Sequence, residues 1–174
     1  MRILLRLAAA VIALVVLVVV IGFALPVNHV AAVRTHYRAP PDRVFAALAD
    51  VESGATWRTG LQKVEVLERA PLRWRETADW GVMTFVREEM VTPTRMVTRI
   101  ADEDEGFGGT WTYEVMASPG GGGSMLTLTE NGTVSNPLFR FMSKFVFGHY
   151  RGLETYSRDL AKRLGENAEP ERVD

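Results

Sequence analysis

The sequence contains no cysteine and carries almost no net charge. Without cysteine, the protein has no disulfide, no thiolate metal ligand and no cysteine nucleophile. Its 20 basic residues nearly balance its 21 acidic ones, so that the formal net charge is −1. Because a nucleic-acid-binding domain usually gathers an excess of Lys and Arg on one face, we expect no nucleic-acid partner. The absence of cysteine leaves the redox compartment open.

The motifs of several enzyme and metal-binding classes are also missing. We find no nucleophile elbow, no dinucleotide fingerprint and no phosphate loop, since no helix follows the four glycines Gly120–Gly123. Those glycines instead predict a flexible hairpin tip. No two histidines have the spacing of helical metal ligands, and the acidic run Asp102–Glu105 lacks the alternating oxygen ligands of a calcium loop. We therefore expect no metal ion and no cofactor, and we interpret the acidic run as a solvated turn.

A long uncharged run occupies the N-terminus. It extends from Leu7 to Leu25, about 19 residues, which is roughly what a helix needs to cross the hydrocarbon core of a bilayer. Pro26 ends the run. A secretory signal peptide is the alternative, because Gly22-Phe23-Ala24 is an acceptable cleavage site, but signal peptides usually have shorter apolar regions. We favour an uncleaved membrane anchor over residues 1–26.

The charges beside this run predict its orientation. Arg2 and Arg6 precede it and favour a cytoplasmic N-terminus, although Arg34, Arg38 and Arg43 on the other flank weaken that preference. We expect a single-pass protein of the inner (plasma) membrane, with its domain on the periplasmic or extracytoplasmic side. Cleavage of the run would instead secrete the domain.

The segment after the anchor predicts a strand followed by a helix. Val27–Tyr37 alternates apolar and polar residues, which is typical of a half-buried strand. We place His36 on its outer face and His29 in the linker after the anchor. Pro41 suits the first turn of a helix, and a second short turn is predicted around Trp57. The apolar face of the helix is formed by Val44, Phe45, Leu48 and Val51.

Short alternating segments separated by turn residues follow. Their connections are too short for parallel crossovers, which need about a dozen residues, so we predict an antiparallel meander. The predicted strands are Gln62–Glu68, Arg73–Thr77, Gly81–Val91, Arg95–Ala101, Gly109–Met116 and Met125–Thr133.

The chain ends in a strongly amphipathic segment. Asn136 and Pro137 are typical of a helix start, and apolar residues then recur every three or four positions as far as Leu164. We predict one helix of about seven turns, of which only the first half is deeply enclosed. His149 is the only histidine on its apolar stripe. The polar tail, residues 166–174, is predicted to be disordered.

Two stretches carry a resemblance to a known family. "APPDRVFAALADVESGATW" (Ala39–Trp57) and "ENGTVSNPLFRFMSKFVFGHYRGLETYSRDLAKRLGE" (Glu130–Glu166) resemble the opening strand-to-helix passage and the last strand and helix of the START-like superfamily. This superfamily is also called SRPBCC or helix-grip, and the resemblance is to its polyketide cyclase/dehydrase and lipid-transport-like branch. It covers residues 27–165 and implies an α+β fold, in which a curved antiparallel sheet of about seven strands surrounds a long C-terminal helix, with two short helices after the first strand. It also implies an apolar cavity that binds lipids, sterols, polyketides or hormones.

The alternation of the strands predicts which side chains face such a cavity, provided that these faces turn inward. Glu76 and Glu130 would then be buried carboxylates; the alternative is that each lies at a strand end, reaching solvent or paired with an arginine. The predicted ligand-binding residues are Trp74, Glu76, Trp111, Tyr113, Leu128, Glu130, Met142, Phe145, His149 and Leu153.

Three functions remain open. We favour a membrane-tethered, non-catalytic module that binds a hydrophobic small molecule or lipid. The alternative is an enzyme resembling polyketide cyclases or dehydratases, in which His149 exchanges protons together with Tyr113 or Glu130, because the imidazole pKa near 6.5 suits proton transfer. A core histidine with one hydrogen bond is the non-catalytic interpretation of His149. The third function is an accessory role in folding or envelope assembly.

Overall fold

The computed structural model describes residues 2–101 and 106–173. The predicted solvated turn at Asp102–Glu105 lies outside the described residues. The helices are α1 (Arg2–Ala24), α2 (Pro41–Ala49), α3 (Pro137–Met142) and α4 (Arg151–Arg163), with a 3-10 turn at Gly54–Thr56 and a π-helical turn at Ser143–Phe147. The strands are β1 (Asn28–Tyr37), β2 (Leu61–Arg69), β3 (Leu72–Ala78), β4 (Gly81–Val91), β5 (Arg95–Ile100), β6 (Phe107–Ala117), β7 (Ser124–Val134) and β8 (Glu171–Val173).

The strands form one antiparallel sheet in the order β2-β3-β4-β5-β6-β7-β1-β8. Strands β2 to β7 pair with their neighbours in sequence, which confirms the predicted meander. β1 pairs with β7 along its whole length, from Asn28↔Thr133 to Tyr37↔Ser124. The predicted α+β helix-grip architecture is confirmed, and the sheet has eight strands rather than about seven.

The core lies between the sheet, α2 and α4. Alternation along β1 buries one face, as predicted, and the Tyr37 hydroxyl donates a hydrogen bond to the backbone oxygen of Ser157 in α4 at 2.9 Å. Burying each large apolar side chain contributes about 1.5–3 kcal/mol, so this layer is a main source of stability. Its members include Ala31, Val33, Val44, Phe45, Leu48, Leu126, Leu128, Leu153 and Leu160.

The prediction of one continuous C-terminal helix is wrong. The helix is interrupted after the π-helical turn at Gly148, which has a φ of 73° and a ψ of 154°. A positive φ of this kind favours glycine, and the chain becomes helical again only at Arg151. The expected enclosure of the first half is also wrong, because α3 packs mainly against α1, whereas α4 packs on the core together with α2. Helical periodicity shows that a face is apolar, but it does not show what covers that face.

The C-terminal tail is also more ordered than predicted. Glu171–Val173 forms β8 and adds to the edge of β1 through the pairs Ala32↔Val173 and Arg34↔Glu171. The exposed edge of β1 offers unpaired backbone groups for this addition. In addition, the Glu166 carboxylate accepts hydrogen bonds from the backbone nitrogens of Arg38 at 2.7 Å and Ala39 at 3.2 Å.

Replacing Glu166 with alanine is expected to lower the free energy of unfolding by about 1–3 kcal/mol, because two backbone N–H groups lose their acceptor where β1 leads into α2. Urea unfolding of the full chain in mild detergent measures the loss. Glu169→Ala is the matched control, since this exposed carboxylate pairs with Arg158 at the surface and is expected to contribute less than about 1 kcal/mol. Equal effects of the two substitutions would contradict the assigned role of Glu166.

Candidate functional site

A cavity of about 610 Å³ lies between the sheet and α4. Its wall is formed by β3 to β7 and the start of β1, by α4 and the π-helical turn before it, and by the segment from the end of α2 to the 3-10 turn and beyond. Ligand pockets in proteins commonly enclose roughly 300–1,000 Å³, so this volume suits a small molecule or an acyl chain.

One wall of the cavity carries an ion pair. Arg58 follows the 3-10 turn, and its Nη1 atom lies 2.5 Å from Oε1 of Glu76 on β3. Trp74 Nε1 donates to the same oxygen at 3.0 Å. The Glu76 side chain is only 3% exposed, whereas that of Arg58 is 23% exposed. Within the described residues, Glu76 Oε2 has no hydrogen-bond partner although it is buried. Glu76, a residue of the cavity wall, therefore keeps one acceptor oxygen that has no partner among the described residues.

Aromatic rings surround this ion pair. Tyr156 on α4 makes edge contacts with Trp57 at 5.3 Å and Trp111 at 5.7 Å between ring centroids, and it lies 5.9 Å from Tyr113. The Arg58 guanidinium lies over the Tyr156 ring at 5.2 Å. Burial raises the pKa of Tyr156 to about 12 and the pKa of Tyr113 well above its usual value of 10. Both phenols are therefore protonated near neutral pH, and their hydroxyls take part in side-chain hydrogen bonds with each other and with Thr98.

A pair of histidines lies at another part of the wall. The rings of His29 and His149 stack with centroids 3.9 Å apart, and His29 Nε2 is 3.5 Å from Glu130 Oε1. His29 is in β1 opposite Gly132, and a Cβ atom at that glycine would overlap the imidazole ring. The expected position of His29 in a linker is therefore wrong. His36 lies on the exposed face of β1, as predicted.

The histidine pair predicts a pH dependence. Burial is the main cause that lowers the pKa of His149 below its usual value of 6.5; nearby His29 and Lys144 lower it further, and Glu130 partly opposes them. The folded state thus favours the neutral ring, and the unfolded chain binds more protons as the pH falls below about 6.5. The stability of the folded state that depends on a neutral His149 is therefore fully present above pH 6.5, and it is lost as the pH falls towards the lowered pKa of His149.

Urea unfolding of the full chain at pH 7.5 and 5.5 measures this loss. We expect the free energy of unfolding to fall less on acidification in His149→Gln than in the original chain. The exposed His36→Gln is the control and should retain the full dependence. Parallel pH profiles for all three proteins would show that His149 does not titrate as described.

The cavity wall contains six of the ten residues predicted to bind a ligand: Trp74, Glu76, Trp111, Tyr113, Glu130 and His149. Leu128 and Leu153 belong to the core beside the cavity and are fully buried. Met142 and Phe145 lie outside the wall, because the interruption at Gly148 directs their segment towards α1. Phe145 is instead in contact with Phe141 and exposed.

Sequence reasoning missed Arg58, Trp57, Tyr156 and His29. Helical periodicity could have indicated Tyr156, since it shares the apolar stripe of α4 with Leu153 and Leu160. No sequence pattern indicates Arg58, because its pairing with Glu76 depends on how the turn after α2 approaches β3.

The three proposed catalytic residues do not form one cluster of contacts. His149 approaches Glu130 through the ring of His29. Tyr113 is grouped with Tyr156 and Thr98, and its register partner on β7 is Leu128. In the part of the chain that the structure describes, no group of three His, Asp or Glu side chains is arranged to hold a metal ion.

Comparison with known proteins identifies a family that this sequence matches. Residues 29–169 match the family model described as polyketide cyclase / dehydrase and lipid transport. A comparison with curated protein sequences finds no match.

Solved structures share the fold at low identity. Norcoclaurine synthase from Thalictrum flavum aligns with a TM-score of 0.65 and 10% identity over 81% of this chain and 88% of that one. A protein from Thermus thermophilus aligns with a TM-score of 0.63 and 21% identity over 78% and 97% of the two chains. A START superfamily protein from Mycobacterium smegmatis aligns with a TM-score of 0.60 and 14% identity over 79% and 97%. These likenesses show the fold, and the family match over residues 29–169 shows that the chain belongs to the polyketide cyclase/dehydrase and lipid-transport family.

Proposed function

We propose that this protein is a membrane-tethered module that binds a hydrophobic small molecule or lipid without converting it. The observation that carries this proposal is the cavity of about 610 Å³ between the sheet and α4, whose wall includes several aromatic side chains. Transfer of apolar surface from water into such a cavity favours binding by about 25 cal/mol for each Å² buried.

The polar groups of the wall suit a ligand with one hydroxyl group. Glu76 Oε2 is a buried acceptor and Trp57 Nε1 is a buried donor, and among the described residues neither has a partner. Both residues line the cavity. A hydroxyl donates and accepts at once, so a ligand hydroxyl can pair with either type of group. An unpaired buried polar group costs about 1–3 kcal/mol, which favours a ligand that supplies these hydrogen bonds.

The tether in this proposal is α1, which is long and apolar enough to cross a bilayer. A signal sequence can have the same length and composition. Its contacts favour an uncleaved anchor. The backbone of Gly22 packs against Pro137, and Arg140 Nη1 donates to the backbone oxygen of Leu25 at 2.9 Å. A signal peptide that is removed has no need of such contacts with the mature domain. Arg2 and Arg6 favour a domain on the extracytoplasmic side.

Mass spectrometry of compounds extracted with the full chain from native membranes tests the proposal. We expect one apolar compound in near-stoichiometric amount, and a reduced amount with a variant whose cavity is filled. A full chain that carries nothing apolar, and that binds no added fatty acid in detergent, would contradict binding and favour an accessory role in envelope assembly.

A second function is favoured by the histidine pair. His29 Nε2 lies 3.5 Å from Glu130 Oε1, and both residues line the cavity, an arrangement in which a carboxylate orients an imidazole for proton transfer. In this cyclase- or dehydratase-like alternative, His29 joins His149, Glu130 and Tyr113. His149→Gln and His29→Gln should then abolish conversion of a bound substrate while its uptake persists. Unchanged conversion in both variants would remove the acid–base assignment.

A further inference from the structure

We propose that the segment from Pro137 to Gly148 is a second membrane contact and that the cavity opens towards the bilayer beside it. Its partner is the boundary between headgroups and acyl chains in the leaflet on the domain's side. A hydrophobic ligand then exchanges between bilayer and cavity without crossing water. This inference rests on the proposed binding function and adds the route by which the ligand enters.

The segment exposes an unusual amount of apolar surface. Phe145 and Phe147 are 59% and 57% exposed, and three more of its large apolar residues are exposed as well. A contiguous exposed apolar patch usually marks a contact with a membrane or another protein. The exposed large apolar residues are Leu138, Phe139, Phe145, Val146 and Phe147.

The packing of α1 sets the depth of this segment. α3 is the element that packs against α1, and the residues of α1 that are partly or fully buried are Val18, Val19, Ile21 and Gly22. From Val18 to Leu25 the helix axis rises by about 10 Å, at 1.5 Å per residue. If α1 spans a hydrocarbon core of about 30 Å, the interval from Val18 to Leu25 occupies about one third of that core, on the side of the domain. The apolar surface of α3 is therefore level with the acyl chains, and the π-helical turn with Phe145–Phe147 follows α3 directly in the chain.

Two further observations favour a bilayer as the occupant of this surface. The surface continues onto the exposed apolar side chains of α1, among them Val20 and Phe23. Lys144 and Arg151 are exposed at its edge, where cationic side chains suit phosphate headgroups. An amphipathic helical segment with these features is typical of an element that lies in the membrane interface.

The same segment forms part of the cavity wall. Ser143, Phe147, Gly148 and His149 line the main cavity. A second cavity of about 220 Å³ lies between the end of α1, the start of β1 and the π-helical turn. Both cavities are lined by His29, Val134, Ser143 and His149, so they adjoin at the stacked histidines. The second cavity thus lies between the main one and the end of α1, and the shared side chains form the wall between the two cavities.

Site-specific labelling tests the membrane contact, and the chain suits it because it has no cysteine of its own. Phe145→Cys is labelled with a polarity-sensitive fluorophore in the full chain reconstituted into vesicles of phosphatidylcholine and phosphatidylglycerol. We expect blue-shifted emission that is quenched by nitroxide-labelled lipid and protected from aqueous iodide. Val91→Cys is the matched control, since Val91 is exposed to a similar degree but lies on β4.

Equal iodide quenching at the two positions would overturn the contact. Efficient disulfide formation between Phe145→Cys chains at low protein density would also overturn it, because it would show that a second copy covers the surface.

Exchange kinetics test the route. Phe145→Ser/Val146→Ser removes two exposed apolar side chains that do not line the cavity. We expect it to slow transfer of a dansyl-labelled fatty acid from vesicles to the cavity by about tenfold while leaving its equilibrium binding in detergent unchanged. Val82→Ser/Val91→Ser is the control and should not slow transfer. If the original chain fails to bind the probe in detergent, the binding function fails; if it binds the probe but both double variants transfer it at the original rate, only the route fails.

Discussion

Replacing Arg58 with methionine is expected to lower the free energy of unfolding by about 3 kcal/mol, the largest effect on stability that we predict for one substitution. The Glu76 side chain is 3% exposed and, among the described residues, keeps only the hydrogen bond from Trp74 Nε1 once the guanidinium is gone. Breaking a buried ion pair from one side typically costs about 3–5 kcal/mol. We expect the low end of this range, because the Arg58 side chain is itself 23% exposed.

Urea unfolding of the full chain in mild detergent measures this effect against two controls. Arg69→Met breaks the exposed pair of Arg69 with Glu52 and is expected to cost less than about 1 kcal/mol. In Arg58→Met/Glu76→Gln the buried charge is also removed, and much of the lost stability should return. A loss for Arg58→Met as small as that for Arg69→Met would show that Glu76 tolerates its charge without the arginine.

Replacing Gly152 with phenylalanine is expected to weaken ligand binding by about tenfold or more, which is about 1.4 kcal/mol, without destabilising the domain. Gly152 lies in α4 and lines the cavity. A Cβ atom built there meets only Cζ2 of Trp111, at 3.9 Å, which is an ordinary contact. A large side chain at this position therefore extends into the ligand's volume rather than into the core.

Gly152→Ala is the matched control for this substitution. Alanine is more favourable than glycine within a helix by about 0.5–1 kcal/mol, so this variant should be slightly more stable and should bind normally. Titration of the full chain in detergent with a dansyl-labelled fatty acid measures both affinities. Normal binding by Gly152→Phe would place the ligand elsewhere and remove the main support for the cavity as the site.

Much of the sheet could be predicted, because strand alternation is a local property. Within each strand, successive side chains point to opposite faces, so Trp74 and Glu76, or Tyr113 and Val115, had to share a side. Turn residues mark where each strand ends, and short connections leave only antiparallel pairing. β8 was missed for a different reason: Glu171–Val173 is too short to show a pattern and pairs only because β1 has a free edge.

The candidate site could be predicted only in part. The sequence by itself determined the strands of the meander, the side chains that share a face of each strand, the apolar N-terminal helix and the amphipathic character of the C-terminal segment, since each depends on residues close together in the chain. Tertiary structure alone decided that Arg58 meets Glu76, that His29 stacks on His149 and that α3 packs against α1. These contacts join residues far apart in the chain, whose approach depends on the direction in which each turn sends the backbone, and periodicity carries no information about that direction.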